Sequence, residues 1–165
     1  MHTGMRQGPE IWLRGPVTIP GPPEHAHAHA AARRFSWVGT HGGAGVSTLA
    51  AVYGGHDSGR SWPGPGDPPS VLLVARTHAA GLDTVAGVVE IFRRGQAPPG
   101  LDLDAVVLVA DAPGRLPRPL AQRVRSLESV IDVYRVPWVA SWRLGERGHP
   151  PRETAALARL TGAAR

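Results

Sequence analysis

The sequence predicts a three-layer α/β fold with a mostly parallel sheet of about four strands. Short apolar runs, which suit strands covered on both faces, alternate with segments of helical periodicity after residue 34. A glycine-rich turn joins the first of these strands to a helix. Repeated strand–helix order requires right-handed crossovers, and such crossovers produce a parallel sheet.

The elements are predicted from apolar patterning and from the glycines and prolines that interrupt it. The predicted strands are Phe35–Val38, Val71–Ala75, Leu103–Ala110 and Val130–Val136. The predicted helices are Val46–Tyr53, Leu82–Arg94, Pro117–Ser129 and Pro151–Leu160. Gly54–Pro69 is rich in Gly, Pro, Ser and Asp and predicts an exposed loop. Its acids Asp57 and Asp67 either reach a metal at the glycine-rich turn or are solvated loop acids, and the second alternative is favoured.

Residues 1–34 are predicted to be a disordered tail rich in Pro, Ala and His, and residues 35–165 a reduced α/β domain. His25, His27 and His29 alternate with alanine. In an extended chain their rings share one face, which suits a transition metal, and an alanine-rich linker that carries histidines is the alternative.

The composition excludes several classes of function. The chain has no cysteine, so a disulfide framework, a thiolate metal site and a cysteine nucleophile are all excluded. No apolar run approaches the roughly 20 residues of a membrane span, and no secretory signal is visible, so we expect a cytoplasmic protein. The net charge is +5, but the basic residues are scattered and do not favour nucleic acid as the partner.

The turn between the first strand and the first helix has the chemistry of a phosphate cradle. Backbone N–H groups and the positive end of the helix dipole converge there on one point. Gly42, Gly43 and Gly45 allow positive φ angles and close approach of a ligand to the backbone. Ser47 or Thr48 stands where a phosphate-loop hydroxyl reaches Mg²⁺.

One position departs from the phosphate-loop pattern G-x-x-x-x-G-K-[ST]. Val46 occupies the lysine position, and all 18 basic residues of the chain are arginine. The pattern therefore indicates the architecture of a phosphate loop more clearly than the activity of an NTPase. Arg76, Arg115 and Arg143 are candidates to supply the missing charge.

The segment HGGAGVST resembles the deviant phosphate loop of the MinD/ParA family of P-loop NTPases, K-G-G-x-G-K-[ST]-[ST]. The matching residues are Gly42, Gly43, Gly45, Ser47 and Thr48. Ala44 stands at the variable position, His41 at the family's signature lysine and Val46 at its phosphate-loop lysine. The resemblance implies a P-loop NTPase-like fold that binds ATP with Mg²⁺, and its nucleotide-sandwich dimer implies a homodimer.

A second, weaker resemblance lies late in the chain. The segment from Val133 to Gly145 is similar to the family's late strand and its I-P-Y-D-P-x-x-R-x-A loop, which lies near the base. Trp138 is therefore a candidate base contact. By the residues alone, Trp138 and Trp142 suit stacking on a purine, anchoring of a partner protein, or packing on the core.

Asp111 follows a buried strand and precedes Ala112-Pro113-Gly114. It suits either a Walker B carboxylate that holds Mg²⁺ together with Ser47, or a polar turn at the end of the strand. Ligands of open α/β sheets bind at the carboxyl ends of the strands. We therefore expect four segments to converge there: the loop, Arg76–His78, Asp111–Gly114 and Pro137–Trp142.

Two hypotheses about function follow. The first is a degenerate MinD/ParA-like protein that binds nucleotide with weak or no hydrolysis and has a regulatory, partner-binding role. The second is a catalytically dead scaffold that retains the fold to bind a protein partner or, with less support, nucleic acid. Val46 is the strongest support for the second hypothesis, and the retained glycine and hydroxyl pattern favours the first.

Overall fold

The computed structural model describes residues 34–164, which form a five-stranded sheet flanked by helices. The strands are β1 Ser36–Gly39, β2 His56–Asp57, β3 Ser70–Arg76, β4 Asp102–Val109 and β5 Val133–Val136. The helices are α1 Val46–Tyr53, α2 Ala79–Arg93, α3 Arg118–Glu128, α4 Ala140–Arg143 and α5 Ala155–Thr161. A 3₁₀ turn at Arg152–Thr154 leads into α5.

The tail predicted for residues 1–34, with its three histidines, lies outside the described residues except for Arg34. Within residues 34–164, no helix has the length and apolar character needed to cross a membrane.

Every strand pairing in the sheet is parallel, and the strand order is β2-β1-β3-β4-β5. Ser36 of β1 lies opposite His56 of β2 on one side and Val71 of β3 on the other. The prediction of an α/β fold with a parallel sheet is therefore confirmed.

The predicted number of strands was wrong by one. Two residues of the segment predicted to be an exposed loop, His56 and Asp57, form the short edge strand β2. Their backbone follows β1 closely, since His56 N–H donates to Phe35 O at 2.9 Å. The pairing depends on the β1 backbone and involves no apolar run, so hydrophobic patterning gave no signal for it.

Helices cover both faces of the sheet, which gives three layers. Side chains alternate along β3, so Leu72 and Val74 enter one core while Val71 and Leu73 enter the other. The first core also receives buried residues of α1 and α5, and the second receives those of α2 and α3.

One helix and one strand begin at residues other than those predicted, each because of local hydrogen bonds. Helix α2 begins at Ala79, earlier than predicted, because the His78 ring accepts a hydrogen bond from Gly81 N–H at 2.9 Å and caps the helix. Strand β5 begins later than predicted, because the N–H groups of Val130 and Ile131 still bond to Leu127 O at the end of α3. Helix α4 was not predicted.

Trp37 fixes the position of β1 against α1. Its side chain is fully buried, and its indole N–H donates to Gly54 O, the residue after α1, at 2.6 Å. Both ends of the intervening segment are thereby held by core packing, and the glycine-rich loop between them has a defined position at the edge of the sheet.

Candidate functional site

The glycine-rich loop lies at the carboxyl edge of the sheet, between the end of β1 and the start of α1. The strand order reverses between β1 and β3, and the helices that follow these two strands pack on opposite faces. A crevice at such a reversal is the usual ligand site of doubly wound sheets. The glycine-rich loop therefore occupies the position where the topology itself favours a ligand.

The backbone of this loop requires glycine at two positions. Gly43 has φ 74° and Gly45 has φ 106°, both in the left-handed region that other residues enter at a cost. Gly45 is also the N-cap of α1. Left-handed residues next to right-handed ones turn successive N–H groups toward one side, which creates a concave site for an anion.

The N–H groups of residues 42–48 all lack a hydrogen-bond partner among the described residues. The nearest N–H groups with a hydrogen-bond partner are those of Thr40, which donates to Val74 O at 3.0 Å, and Leu49, which donates to Gly45 O at 3.0 Å. The first turn of a helix always leaves donors free, and here the preceding loop extends the series. The positive end of the helix dipole adds to the attraction for an anion.

Two arginines flank this row of donors. Arg76 Nε donates to Gly43 O and its Nη1 to Ala110 O, both at 3.1 Å. Its other terminal nitrogen lies 3.6 Å from the position that a Cβ on Gly45 would occupy. Arg60 Nη1 lies 3.9 Å from the corresponding position on Gly42. Both arginines line the cavity of about 360 Å³ in front of the loop.

His41 is positioned as a hydrogen-bond acceptor. Its Nε2 accepts from Arg76 N–H at 2.9 Å, and its Nδ1 lies 2.9 Å from Gly42 O. This arrangement requires a neutral ring that carries its proton on Nδ1. His41 therefore joins the loop to the end of β3 and, in this state, does not supply the positive charge of a signature lysine.

Val46, at the phosphate-loop lysine position, is part of the hydrophobic core. Its side chain is 8% exposed and packs with the buried residues Ala44 and Leu49. Val46 and Ala44 therefore contribute backbone N–H groups to the site, while their side chains hold the loop on the sheet.

Ser47 contacts a carboxylate that sequence reasoning did not pair with it. Its hydroxyl donates to Asp57 Oδ2 at 2.8 Å, and Asp57 Oδ1 accepts from Gly59 N–H at 2.9 Å. The two-residue strand β2 brings Asp57 to this place, beside the beginning of α1. Within residues 34–164, no group of three or more His, Asp or Glu side chains is arranged to hold a metal ion.

A second cavity, of about 350 Å³, continues from the loop along the carboxyl edge of the sheet. Gly45, Thr48 and Arg76 line both cavities, so the two are adjacent. The far wall consists of Trp138 and Trp142 with Arg143, whose guanidinium lies 5.4 Å from the centre of the Trp138 ring. We call this second cavity the aromatic cleft.

Asp111 lies in the aromatic cleft and not beside Ser47. Its side chain is exposed, and its backbone N–H donates to Thr77 Oγ1 at 3.1 Å. No hydrogen bond joins Asp111 to Ser47 within the described range. The two predicted metal ligands, Ser47 and Asp111, therefore line different cavities.

The four segments predicted to converge do lie along one edge of the sheet, in the linings of neighbouring cavities. Trp142 also packs against the first core, whereas Trp138 is half-buried in the cleft. Sequence reasoning missed Arg60, and it favoured a solvated loop acid for Asp57 over an acid that reaches a metal at the glycine-rich turn. The only signal for either residue was its short distance from the loop along the chain.

The model of a family described as a family of unknown function (DUF6668) matches residues 34–161. Neither the curated proteins nor the solved structures include a match to this chain.

Proposed function

The chain belongs to DUF6668, a family of unknown function, and from the geometry of the site we propose that it binds a nucleotide by its phosphates. The proposed ligand is ATP with Mg²⁺, held by a loop that resembles the MinD/ParA phosphate loop. We propose weak or no hydrolysis and a regulatory role.

One observation carries this proposal: the unpaired N–H groups of residues 42–48 at the start of α1. Ala44, Gly45, Val46 and Thr48 are buried or half-buried, and N–H groups in such places are costly to leave without an acceptor. Phosphate oxygens supply several acceptors in a small volume and carry the charge that the helix dipole favours. A phosphate in the cavity therefore satisfies the donors that the fold leaves open.

Arg76 and Arg60 are proposed to replace the charge of the missing lysine. A guanidinium has five N–H donors, and Arg76 uses two of them on backbone carbonyls, so three remain for a ligand. The two carbonyl bonds also fix the direction of the side chain. Arginine suits phosphate because its planar donors match two phosphate oxygens at once.

The aromatic cleft is proposed to take the base. It adjoins the loop through Gly45, Thr48 and Arg76, so a nucleotide with its phosphates on the loop reaches the cleft directly. Trp138 offers the face of a ring for stacking, which stabilises bases without selecting among them. We therefore propose weak discrimination between adenine and guanine nucleotides.

Weak or absent hydrolysis follows from the two former lysine positions. Val46 is buried in the core, and His41 is a neutral acceptor in the described arrangement. Neither position presents a cation to the charge that develops during phosphoryl transfer. Arg76 is proposed to stabilise bound phosphate. Its two hydrogen bonds to backbone carbonyls restrict movement of its guanidinium during phosphoryl transfer.

For Mg²⁺ we propose Ser47 with Asp57 as the protein contacts, and Asp111 as the alternative carboxylate. Magnesium in nucleotide sites is held by one or two protein oxygens, with phosphates and water completing the shell. Asp57 is already 2.8 Å from the Ser47 hydroxyl, whereas Asp111 lies in the aromatic cleft. A comparison of Asp57→Asn with Asp111→Asn distinguishes them, since only the true ligand changes the Mg²⁺ dependence of ATP binding.

The scaffold hypothesis remains the alternative, with a protein as the partner. Leu144, which follows α4, is 77% exposed, and it lies next to Arg143 and near Trp138 in the chain. Tryptophan and arginine are enriched among the residues that contribute most to protein interfaces. The homodimer implied by the MinD/ParA resemblance is one form of such an interaction.

Calorimetric titration of the purified chain with ATP, ADP and GTP, with and without Mg²⁺, tests the proposal. We expect saturable binding that Gly45→Val removes. A lack of heat at millimolar concentration of every nucleotide contradicts nucleotide binding and supports the scaffold hypothesis.

A further inference from the structure

A third cavity lies on the other side of β4 from the aromatic cleft. Its volume is about 660 Å³, within the range of small-molecule sites. It is bounded by the turn after β4, by one face of α3 and by the end of β5. Ala110 and Pro137 are shared with the aromatic cleft, and no residue of the glycine-rich loop lines it. We call this cavity the arginine cleft.

The floor of the arginine cleft is apolar and rigid. Its accessible apolar lining includes the half-buried Leu116, Ala121 and Pro137. Leu108, Val124 and Val136 are at most 1% exposed, so they support this lining from within the packed core. Ala121 on the same face of α3 is small and leaves the space above the floor open. An apolar group that enters this space loses contact with water at little cost in reorganisation.

The rim of the arginine cleft is positively charged. It carries Arg115, Arg125 and Arg135 against a single acid, Glu153. Arg135 is paired with Glu128 at 2.8 Å, whereas neither Arg115 nor Arg125 has an ion pair among residues 34–164. Two cations beside an apolar floor therefore lack acidic partners.

Thr77 adds a directed polar group to this cleft. It is 7% exposed, and its hydroxyl oxygen accepts the Asp111 N–H, while the hydroxyl hydrogen has no acceptor among the described residues. An oxygen atom on a bound ligand supplies one.

We propose that the arginine cleft binds a small organic anion, namely a carboxylate attached to an aromatic or aliphatic body. The body lies against Leu116, Ala121 and Pro137, and the carboxylate meets Arg115 and Arg125. Carboxylates match guanidinium groups in both charge and geometry. This site is separate from the phosphate loop and does not depend on the proposed function.

The first test uses 1-naphthoate, whose carboxylate is ionised at neutral pH, and its uncharged analogue 1-naphthalenemethanol. Titration of each into ¹⁵N-labelled protein is followed by amide chemical shifts. With naphthoate we expect saturable shifts for amides around Thr77, residues 112–116 and Ala121. We expect the affinity of the alcohol to be lower than that of naphthoate by roughly tenfold or more.

Substitutions then test whether naphthoate binds in the arginine cleft or elsewhere on the chain. Arg115→Gln with Arg125→Gln is expected to weaken naphthoate binding by roughly tenfold or more. Arg118→Gln with Arg147→Gln removes the same charge from exposed positions outside the cleft and serves as the control. Ala121→Phe fills the cleft and is expected to abolish binding, with the thermal melt reporting whether the variant folds.

Equal binding by the Arg115/Arg125 variant and the control overturns the proposal, as does an absence of naphthoate shifts at millimolar concentration. Gly45→Val separates the two sites: we expect it to leave naphthoate binding unchanged while it removes nucleotide binding. The arginine cleft and the phosphate loop are thus tested independently.

Discussion

Gly45 is the residue on which the shape of the glycine-rich loop most depends, since it has φ 106° and lies beside the Arg76 guanidinium. Gly45→Val adds strain in the left-handed region and brings a branched side chain into the anion cavity. We expect loss of detectable nucleotide binding, measured by calorimetry.

The control for this change is Gly100→Val. Gly100 also has a positive φ, 84°, and a Cβ there meets no atom within 4 Å. The Gly100→Val substitution introduces similar backbone strain at a position far from the loop along the chain. If both variants bind nucleotide as the original chain does, the ligand site lies elsewhere.

A substitution at Arg76 tests whether this arginine supplies the positive charge that Val46 cannot supply. Arg76→Gln keeps a polar side chain but removes the charge that faces the cavity. A hydrogen bond to a charged group contributes about 1.5–3 kcal/mol, so we expect ATP affinity to fall by roughly 10- to 150-fold. Arg118→Gln, at an exposed position on α3, is the matched control, and equal affinity in the two variants contradicts the role of Arg76.

At the residue scale, the sequence predicted a glycine-rich turn with positive φ angles between the first strand and the first helix, and Gly43 and Gly45 have such angles. Arg60 and the contact between Ser47 and Asp57 were not predictable. They depend on how β2 pairs with β1, a long-range arrangement that local patterning does not encode.

At the scale of elements, α1 is joined to the carboxyl-terminal segment by a buried hydrogen bond. Tyr53 Oη, at the end of α1, donates to Thr154 Oγ1 at 2.6 Å, and Thr154 donates onward to Pro151 O at 2.7 Å. Both side chains are buried. The bond therefore joins the helix that follows the glycine-rich loop to the segment before α5.

Tyr53→Phe removes this hydrogen bond and leaves the buried Thr154 oxygen without its donor. We expect a loss of about 1 kcal/mol in the free energy of unfolding, measured by urea denaturation. Tyr134→Phe is the matched control, because the Tyr134 hydroxyl makes no hydrogen bond among the described residues. Equal losses in the two variants contradict a specific role for the Tyr53 bond.

The same tyrosine predicts a pH dependence. Burial raises the pKa of Tyr53 above its ordinary value of 10.0, and the hydrogen bond with Thr154 acts in the opposite direction. Because the folded state disfavours the phenolate, the resulting stabilisation is complete below the ordinary pKa and is lost as pH rises through the raised pKa. We expect the original chain to lose stability more steeply than Tyr53→Phe above pH 10.0.

Helix α1 and the buried strands were predictable because long apolar runs and glycine stops define them. The shortest elements were not. Strand β2 has two polar residues and α4 has four residues, so neither forms a pattern long enough to recognise. Both nevertheless carry parts of the candidate site, namely Asp57 and the wall that contains Trp142 and Arg143.

Over the whole molecule, the order of the strands decides which loops meet. The predicted parallel sheet is confirmed, whereas a ligand at the carboxyl ends of its strands remains a prediction. Sequence reasoning did not predict that β1 lies between β2 and β3, since crossover handedness does not specify neighbours. That order places Asp57 and Arg76 on opposite sides of the loop.

Binding at the loop is expected to stabilise the whole domain. A ligand at 100 times its dissociation constant adds about 2.7 kcal/mol if it binds only the folded state. For a domain of this size the expected rise in Tm is about 5–10 °C. Differential scanning fluorimetry with ATP measures the shift, and a comparable rise in Gly45→Val shows that stabilisation comes from another site.

The most direct measurement of the central claim is the ¹H–¹⁵N spectrum of the labelled chain during titration with ATP and with inorganic pyrophosphate. If the loop binds phosphate through its backbone, the amide signals of residues 42–48 move with both ligands and move downfield as their N–H groups gain acceptors. Signals around Trp138 move with ATP alone. Unchanged loop amides at saturating ATP contradict the claim, whatever other signals move.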